Sequence, residues 1–319
     1  MYFVAIAMRF NDNLKRKWSS YWQRLKDISI MDIYEHHVPI GDTRLFVAER
    51  GSQSNYPLIV LHGGPGLDHH MFGDYLDALT DHYRLILVDQ RAQGQSEPAS
   101  ENTWTLSHMA NDINHLAVAL DLKRYAVLGH SYGAFVVLQH AAEFPGKAAQ
   151  TIVSSGIPAA HYLDHVWRQL AAFEPAALRD QVTSSWAREK VVQTQDECVA
   201  LMHDQLPFQF GNPLDPRIAD YERRTADGVY SAAVLRHFAN ADYGGIEVEA
   251  LLAGITQPLL VLAGRLDRTC SAEAAQAIAA GVLHSDLVVF EHSGHMTFVE
   301  EQPAYLSAVR GFLDQHTRP

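Results

Sequence analysis

Three residues far apart in the chain, Ser131, Asp267 and His295, are the types that together activate a hydroxyl for acyl transfer. A serine hydroxyl is a poor nucleophile until a base takes its proton. An imidazole can accept that proton and return it to the leaving group. A carboxylate fixes the imidazole tautomer and stabilises the imidazolium. Ser131 sits in Gly129-His130-Ser131-Tyr132-Gly133, between the apolar run Tyr125–Leu128 and the helix-like run Ala134–Phe144. In a strand–turn–helix setting this G-x-S-x-G pattern makes a turn so sharp that the serine takes strained backbone angles. The glycines are required because a Cβ at either place would meet the neighbouring strand or helix. The hydroxyl is then held out at the C-terminal edge of a sheet. The Tyr132 N–H and the helix N-terminus point to where an oxyanion would form. The pattern by itself also fits a plain strand–helix turn, so its partners matter.

Those partners follow the ends of strand-like runs. Leu58–Leu61 is a continuous apolar run, as a doubly buried parallel strand should be, and it leads into His62-Gly63-Gly64-Pro65-Gly66. Such a segment is neither helix nor strand, and its backbone N–H groups are free to face a ligand. Gly64 and Tyr132 are therefore the expected oxyanion-hole donors. Arg84–Val88 runs into Asp89–Ser96, whose polar groups read as loop architecture. The strand Leu259–Gly264 is followed by Asp267, and Leu287–Phe290 by His292 and His295. Functional groups of parallel sheets collect at these C-terminal ends. The chain order Ser131, Asp267, His295 matches one known triad order. Taken singly, Asp267 also fits a surface ion pair with Arg265 or Arg268. His292 follows its strand closely and reads as structural. His295, after Gly294, lies on a loop long enough to swing its ring over the turn.

The elements that must hold these residues alternate. Asp32–Ile40 and Thr43–Arg50 read as a hairpin around Gly41-Asp42. Leu106, Met109, Ile113, Leu116 and Leu120 form a helical stripe, and Thr151–Ser155 is another strand. Pro303–Leu313 reads as the last helix. The pattern predicts an α/β fold with a mostly parallel central sheet flanked by helices. Residues 31–155 and 246–319 form its core, and 156–245 read as an inserted helical cap. Residues 1–30 read as an N-terminal appendage with Trp18, Tyr21, Trp22 and Leu25 at helical spacing. An upstream start, a lid and a dimer contact all fit that appendage.

Composition narrows the partners. The 319 residues are 47% hydrophobic and 19% charged, which suits a globular protein. A formal net charge of −12 argues against nucleic acid or an anionic membrane surface as the main partner. The apolar stretch 1–7 is far short of the roughly 18 residues a membrane span needs. Cys198 and Cys270 show no metal-ligand spacing, and a reducing, cytoplasmic setting is the simpler reading. Nothing in the sequence calls for a metal or an organic cofactor.

His62–Gly66, Asp89-Gln90-Arg91 with Gly94 and Ser96, the Gly129–Gly133 turn, Gly264–Asp267 and Ser293–His295 together resemble the proline iminopeptidase family of α/β-hydrolases. The likeness covers most of residues 35–315. It implies an α/β-hydrolase fold, with Ser131 as nucleophile, Asp267 as orienting acid, His295 as base, and the backbone N–H groups of Gly64 and Tyr132 as oxyanion hole. Family members release an N-terminal residue, preferably proline, and hold its free amine with acidic side chains. Some relatives carry an acid directly after the triad aspartate, where this chain has Arg268. The acid is then expected in the cap, where Glu174, Glu197, Glu222, Asp227 and Asp242 are candidates. Asp242 is favoured because it lies where the chain re-enters the core, and Glu222 is second. A short peptide or other small molecule is the expected substrate. A carboxylesterase or lactonase for a small uncharged ester, and a catalytically silent ligand-binding homologue, are the competing functions. The oligomeric state is left open.

Overall fold

Strand β3 (Tyr56–Leu61) shows how the sheet is buried on both faces. Its side chains alternate: Ile59 and Leu61 join one apolar cluster, Leu58 and Val60 the other. The same division runs through β4 (Tyr83–Val88), β5 (Ala126–His130), β6 (Gln150–Ser154) and β7 (Leu259–Gly264). The computed structural model describes residues 33–317, so the appendage read over residues 1–30 lies outside the described residues. With β1 (Ile33–Pro39), β2 (Arg44–Arg50) and β8 (Ser285–Phe290), the strands make one sheet in the order β1-β2-β4-β3-β5-β6-β7-β8. Only the β1–β2 and β2–β4 pairings are antiparallel. The α/β fold expected from the sequence is thus present, with strand β5 near the middle of the parallel part.

Helix α1 (Leu106–Ala119) lays its Leu106, Met109, Ile113 and Leu116 stripe on one face of the sheet. Thr105 caps it, accepting from the His108 N–H. Helix α2 (Tyr132–Glu143) follows β5 directly on the same face. Between β6 and β7 the alternation stops, and five helices intervene: α3 (Asp164–Ala171), α4 (Ala176–Arg188), α5 (Gln195–Gln209), α6 (Arg217–Arg224) and α7 (Ala232–Ala239). The two ends of this insertion are laced together by backbone bonds from Ala160 N–H to Ile246 O (2.8 Å) and from Val248 N–H to Pro158 O (2.9 Å). Helix α8 (Ala272–Gly281) joins β7 to β8, an element the strand pattern did not announce. The short α9 (Thr297–Glu300) precedes α10 (Gln302–Thr317), whose Tyr305, Val309, Phe312 and Leu313 cover the second face.

The loop after β4 does architectural work. Ser96 Oγ accepts from Phe46 N–H (2.8 Å), and Gln93 Oε1 accepts from Gly66 N–H (2.6 Å). Asp89 accepts from the backbone N–H groups of His69 and Gln95. Arg91 is only 2% exposed and forks onto two carboxylates: Asp112 on α1 (2.9 and 2.6 Å) and Asp42 in the β1–β2 turn (2.7 and 3.0 Å). Burial raises the Asp112 carboxyl despite the opposing pull of Arg91. Arg91→Met would leave that buried acid without a partner, whereas Asp42 is mostly exposed. The substitution is expected to cost about 3–5 kcal/mol in urea unfolding, and adding Asp112→Leu should recover most of it. A double variant as unstable as the single one would show that the ion pair is not what holds the loop.

Candidate active site

Ser131 sits where β5 ends and α2 begins, with φ 55° and ψ −119°, a region that side chains rarely occupy. The turn is tight for a reason visible in its two glycines. A Cβ on Gly129 would lie 2.0 Å from the Gly133 carbonyl oxygen, and one on Gly133 would lie 2.4 Å from the Leu61 carbonyl oxygen. Ser131 N–H donates to Ser154 O of β6 (2.9 Å), while its hydroxyl caps no helix N–H. The hydroxyl is therefore left to the cavity that Ser131 lines with Gly64, Tyr132 and His295. Neither the Gly64 nor the Tyr132 backbone N–H reaches a protein acceptor among the described residues. His62 ties the two neighbouring loops. Its Nε2 accepts from Gln90 N–H (3.1 Å), so its Nδ1 carries the proton and donates to Gly63 O (2.8 Å).

Asp267 and His295 meet across the ends of β7 and β8. Asp267 Oδ1 accepts from Thr269 N–H (2.8 Å), Thr269 Oγ1 (2.7 Å) and Cys270 N–H (2.9 Å). Its Oδ2 accepts from His295 Nδ1 (2.9 Å). Burial pushes this carboxyl up, but His295 and the hydrogen bonds outweigh it and hold the group below its usual range. An ionised acceptor on Nδ1 puts the imidazole proton there and leaves Nε2 as the basic nitrogen. The alternative partners of Asp267 are engaged elsewhere. Arg265 pairs with Glu291 (2.8 Å), and Arg268 donates to the carbonyls of Phe208 (3.2 Å), Phe210 (2.7 Å) and Gly211 (3.0 Å). Those carbonyls lie at the end of α5, which a helix leaves without internal donors. His292 is exposed and lines no part of this cavity.

The loop carrying His295 is locked to the same segment. His295 N–H donates to Gln209 O (2.6 Å). Glu300 bridges Gly294 N–H (2.8 Å) and Gly211 N–H (2.7 Å). Burial raises the Glu300 carboxyl to about 7.

The cavity holds one acid from the insertion, Glu189, which is 3% exposed. It accepts from Gln205 Nε2 (2.6 Å) and from the Tyr243 hydroxyl. The two acids favoured from the sequence are not brought to Ser131. Asp242 is exposed and lines an adjoining cavity with Lys190 and Trp167, away from Ser131. Glu222 pairs with His203 and lines a neighbouring cavity. Glu174 pairs with Arg179, Glu197 closes the capping box of α5 with Thr194, and Asp227 is exposed. In the sequence, Arg188 and Lys190 flank Glu189, so the run reads as a solvated charged turn. A signal was present: Val182, Ser185 and Glu189 fall at helical spacing on the buried side of α4 and its continuation.

A model of the alpha/beta hydrolase fold family matches residues 56–302, about three-quarters of the chain. The chain belongs to the alpha/beta hydrolase fold family. The proline iminopeptidase of Clostridium botulinum is 26% identical to this hydrolase over 302 residues, covering 90% of this chain and 100% of the relative. The proline iminopeptidase of Saccharolobus solfataricus is 28% identical over 277 residues, covering 82% and 86%. Among solved structures, an alpha/beta fold family hydrolase from Bacillus anthracis superposes with a TM-score of 0.74 at 21% identity, covering 88% of this chain and 99% of that one. The likeness to proline iminopeptidases read from the sequence is therefore met, and the enzyme is a serine hydrolase. Among the described residues no helix is long and apolar enough to cross a membrane.

Burial raises the Glu189 carboxyl from 4.5 to about 7, with Tyr243 and Gln205 pulling the other way. Between those two values the folded hydrolase binds a proton that the unfolded chain does not. This stabilising contribution is full below about 4.5 and is lost as the pH rises toward 7. Glu189→Gln removes it, so between pH 5 and 8 the parent should lose about 2.5 kcal/mol more unfolding free energy than the variant. Parallel stability curves for the two proteins would contradict the burial assigned to Glu189.

Proposed function

We propose that this hydrolase is a serine aminopeptidase that releases an N-terminal residue, proline preferred, from small peptides. The observation that carries the reading is a buried carboxylate, Glu189, in the same cavity as Ser131. A buried ammonium is costly unless a carboxylate meets it, and Glu189 is the acid placed to do so. The cavity has a volume of about 80 Å³.

In this reading the helical insertion acts as the cap. Ser131 Oγ attacks the scissile carbonyl as His295 Nε2 takes its proton. The backbone N–H groups of Gly64 and Tyr132 receive the oxyanion. The C–N bond breaks as His295 gives the proton to the departing amine, leaving an acyl-Ser131 ester. Water, deprotonated by the same nitrogen, then splits the ester. Asp267 holds the imidazole throughout. Cys198 and Cys270 are both free and buried, which agrees with a reducing, cytoplasmic setting.

The second reading is an ester or lactone hydrolase. A Glu189 whose carboxyl is raised to about 7 is partly protonated at neutral pH, and a neutral acid suits an uncharged ligand.

Two measurements test these roles. A fluorophosphonate should label Ser131 alone, and Ser131→Ala should abolish turnover without unfolding the protein; a label mapped to another serine would remove Ser131 from its role. Glu189→Gln should lower kcat/KM for a prolyl anilide by roughly 100- to 1,000-fold and for an uncharged aryl ester by no more than about threefold. Equal losses on both substrates, or a parent that splits only esters, would favour the second reading.

A further inference from the structure

Helix α5 runs along the reaction cavity with a stripe of Met202, Gln205 and Gln209, spaced three and four apart. Gln205 reaches Glu189 (2.6 Å), and the Gln209 carbonyl accepts from the His295 N–H (2.6 Å). One helical turn, about 5.4 Å, separates the two glutamines. The C-terminal part of the helix therefore meets the buried acid at Gln205 and the histidine loop at Gln209. A second cavity, about 470 Å³ in volume, runs along α5 from Asp196 to Gln209. It shares Leu67, Met71, Met202 and Gln209 with the cavity of Ser131, but not Glu189, Trp186 or Tyr243.

We propose that this second cavity is the leaving-group subsite, shaped for a bulky apolar group without a free carboxylate. This rests on the acyl-transfer reading of Ser131 and His295. A general acid must hand its proton to the departing atom, so the leaving group departs on the histidine side. Gln209, whose carbonyl holds the His295 N–H, lines the second cavity, and Glu189 does not. Its walls are apolar and aromatic, with Leu206, Tyr221 and Tyr230 added to the shared residues. Its charged groups are Asp196, Glu222 and His203. His203 is already paired with Glu222, which raises its pKa, and no Lys or Arg lines the cavity. A departing residue with its own carboxylate thus finds an unmatched Asp196 and no free cation. An amide-capped or longer peptide avoids that repulsion.

The test uses three substrates with one acyl part: prolyl-phenylalanine amide, prolyl-glycine amide, and prolyl-phenylalanine with its free carboxylate. The parent should prefer the phenylalanine amide over each of the others by about tenfold or more in kcat/KM. Ala200 is exposed on α5 and lines the larger cavity alone. Ala200→Trp should reduce the phenylalanine amide about tenfold while leaving the glycine amide within about twofold, which also shows that the variant is folded. Asp196→Lys should selectively raise turnover of the free carboxylate. The subsite is overturned if the parent treats the two amides alike, or if Ala200→Trp lowers both equally. A parent that splits no prolyl substrate overturns the peptidase reading instead. The phenethyl and methyl esters of one acid then give the same comparison, with the phenethyl ester preferred and Ala200→Trp erasing the preference.

Discussion

The architecture turns on one local constraint: Ser131 must hold φ 55° and ψ −119° at the edge of a parallel sheet. A non-glycine residue there costs about 1–3 kcal/mol, and it persists only where its surroundings leave no alternative. Here the surroundings are the central strand β5, the helix that starts immediately after it, and the carbonyl of Leu61 pressed against Gly133. Removing both Cβ atoms from the flanks lets helix and strand approach so closely. Double burial of the sheet supplies the apolar area that outweighs the strain. The serine hydroxyl is left with no structural task.

A second constraint joins the core to the insertion. The segment Phe208–Gly211 is held by both loops that carry the other two polar groups. Arg268, next to Asp267, takes its carbonyls, while Glu300 and the His295 backbone take its remaining groups. The arginine that departs from the pattern of some proline iminopeptidases therefore has a clear structural use. It satisfies the end of α5, whose interior also contains Pro207. Positions of the insertion and of the histidine loop are thus set together.

Three carboxylates around the site are pushed in different directions by their environments. Asp267 is buried but saturated with donors and paired with His295, so it is held low. Glu189 and Glu300 are buried with hydrogen-bond donors that do not repay desolvation, so both rise to about 7. Glu189 alone of these two lines the cavity of Ser131. Glu189 therefore presents its carboxyl to the cavity, whereas Glu300 is committed to two backbone N–H groups.

The sequence by itself determined what depends on local sterics and strand order. The glycines around Ser131 betray the sharp turn because no other residue fits there. Continuous apolar runs reveal doubly buried strands, and the rule that loops gather at their C-terminal ends assigned Ser131, Asp267 and His295 to one edge. Helix α8 was less legible because its Ala-rich run, Ala272–Gly281, has little periodic contrast. The identity of the buried acid was decided only by tertiary structure. Asp242 and Glu222 have the right charge, yet Asp242 faces solvent and Glu222 is matched by His203. Glu189 looks like a surface residue between two cations until α4 turns it inward beneath Tyr243 and Gln205. Burial of a charge is a property of the packing of several helices against one another, and no local pattern of residue types encodes it.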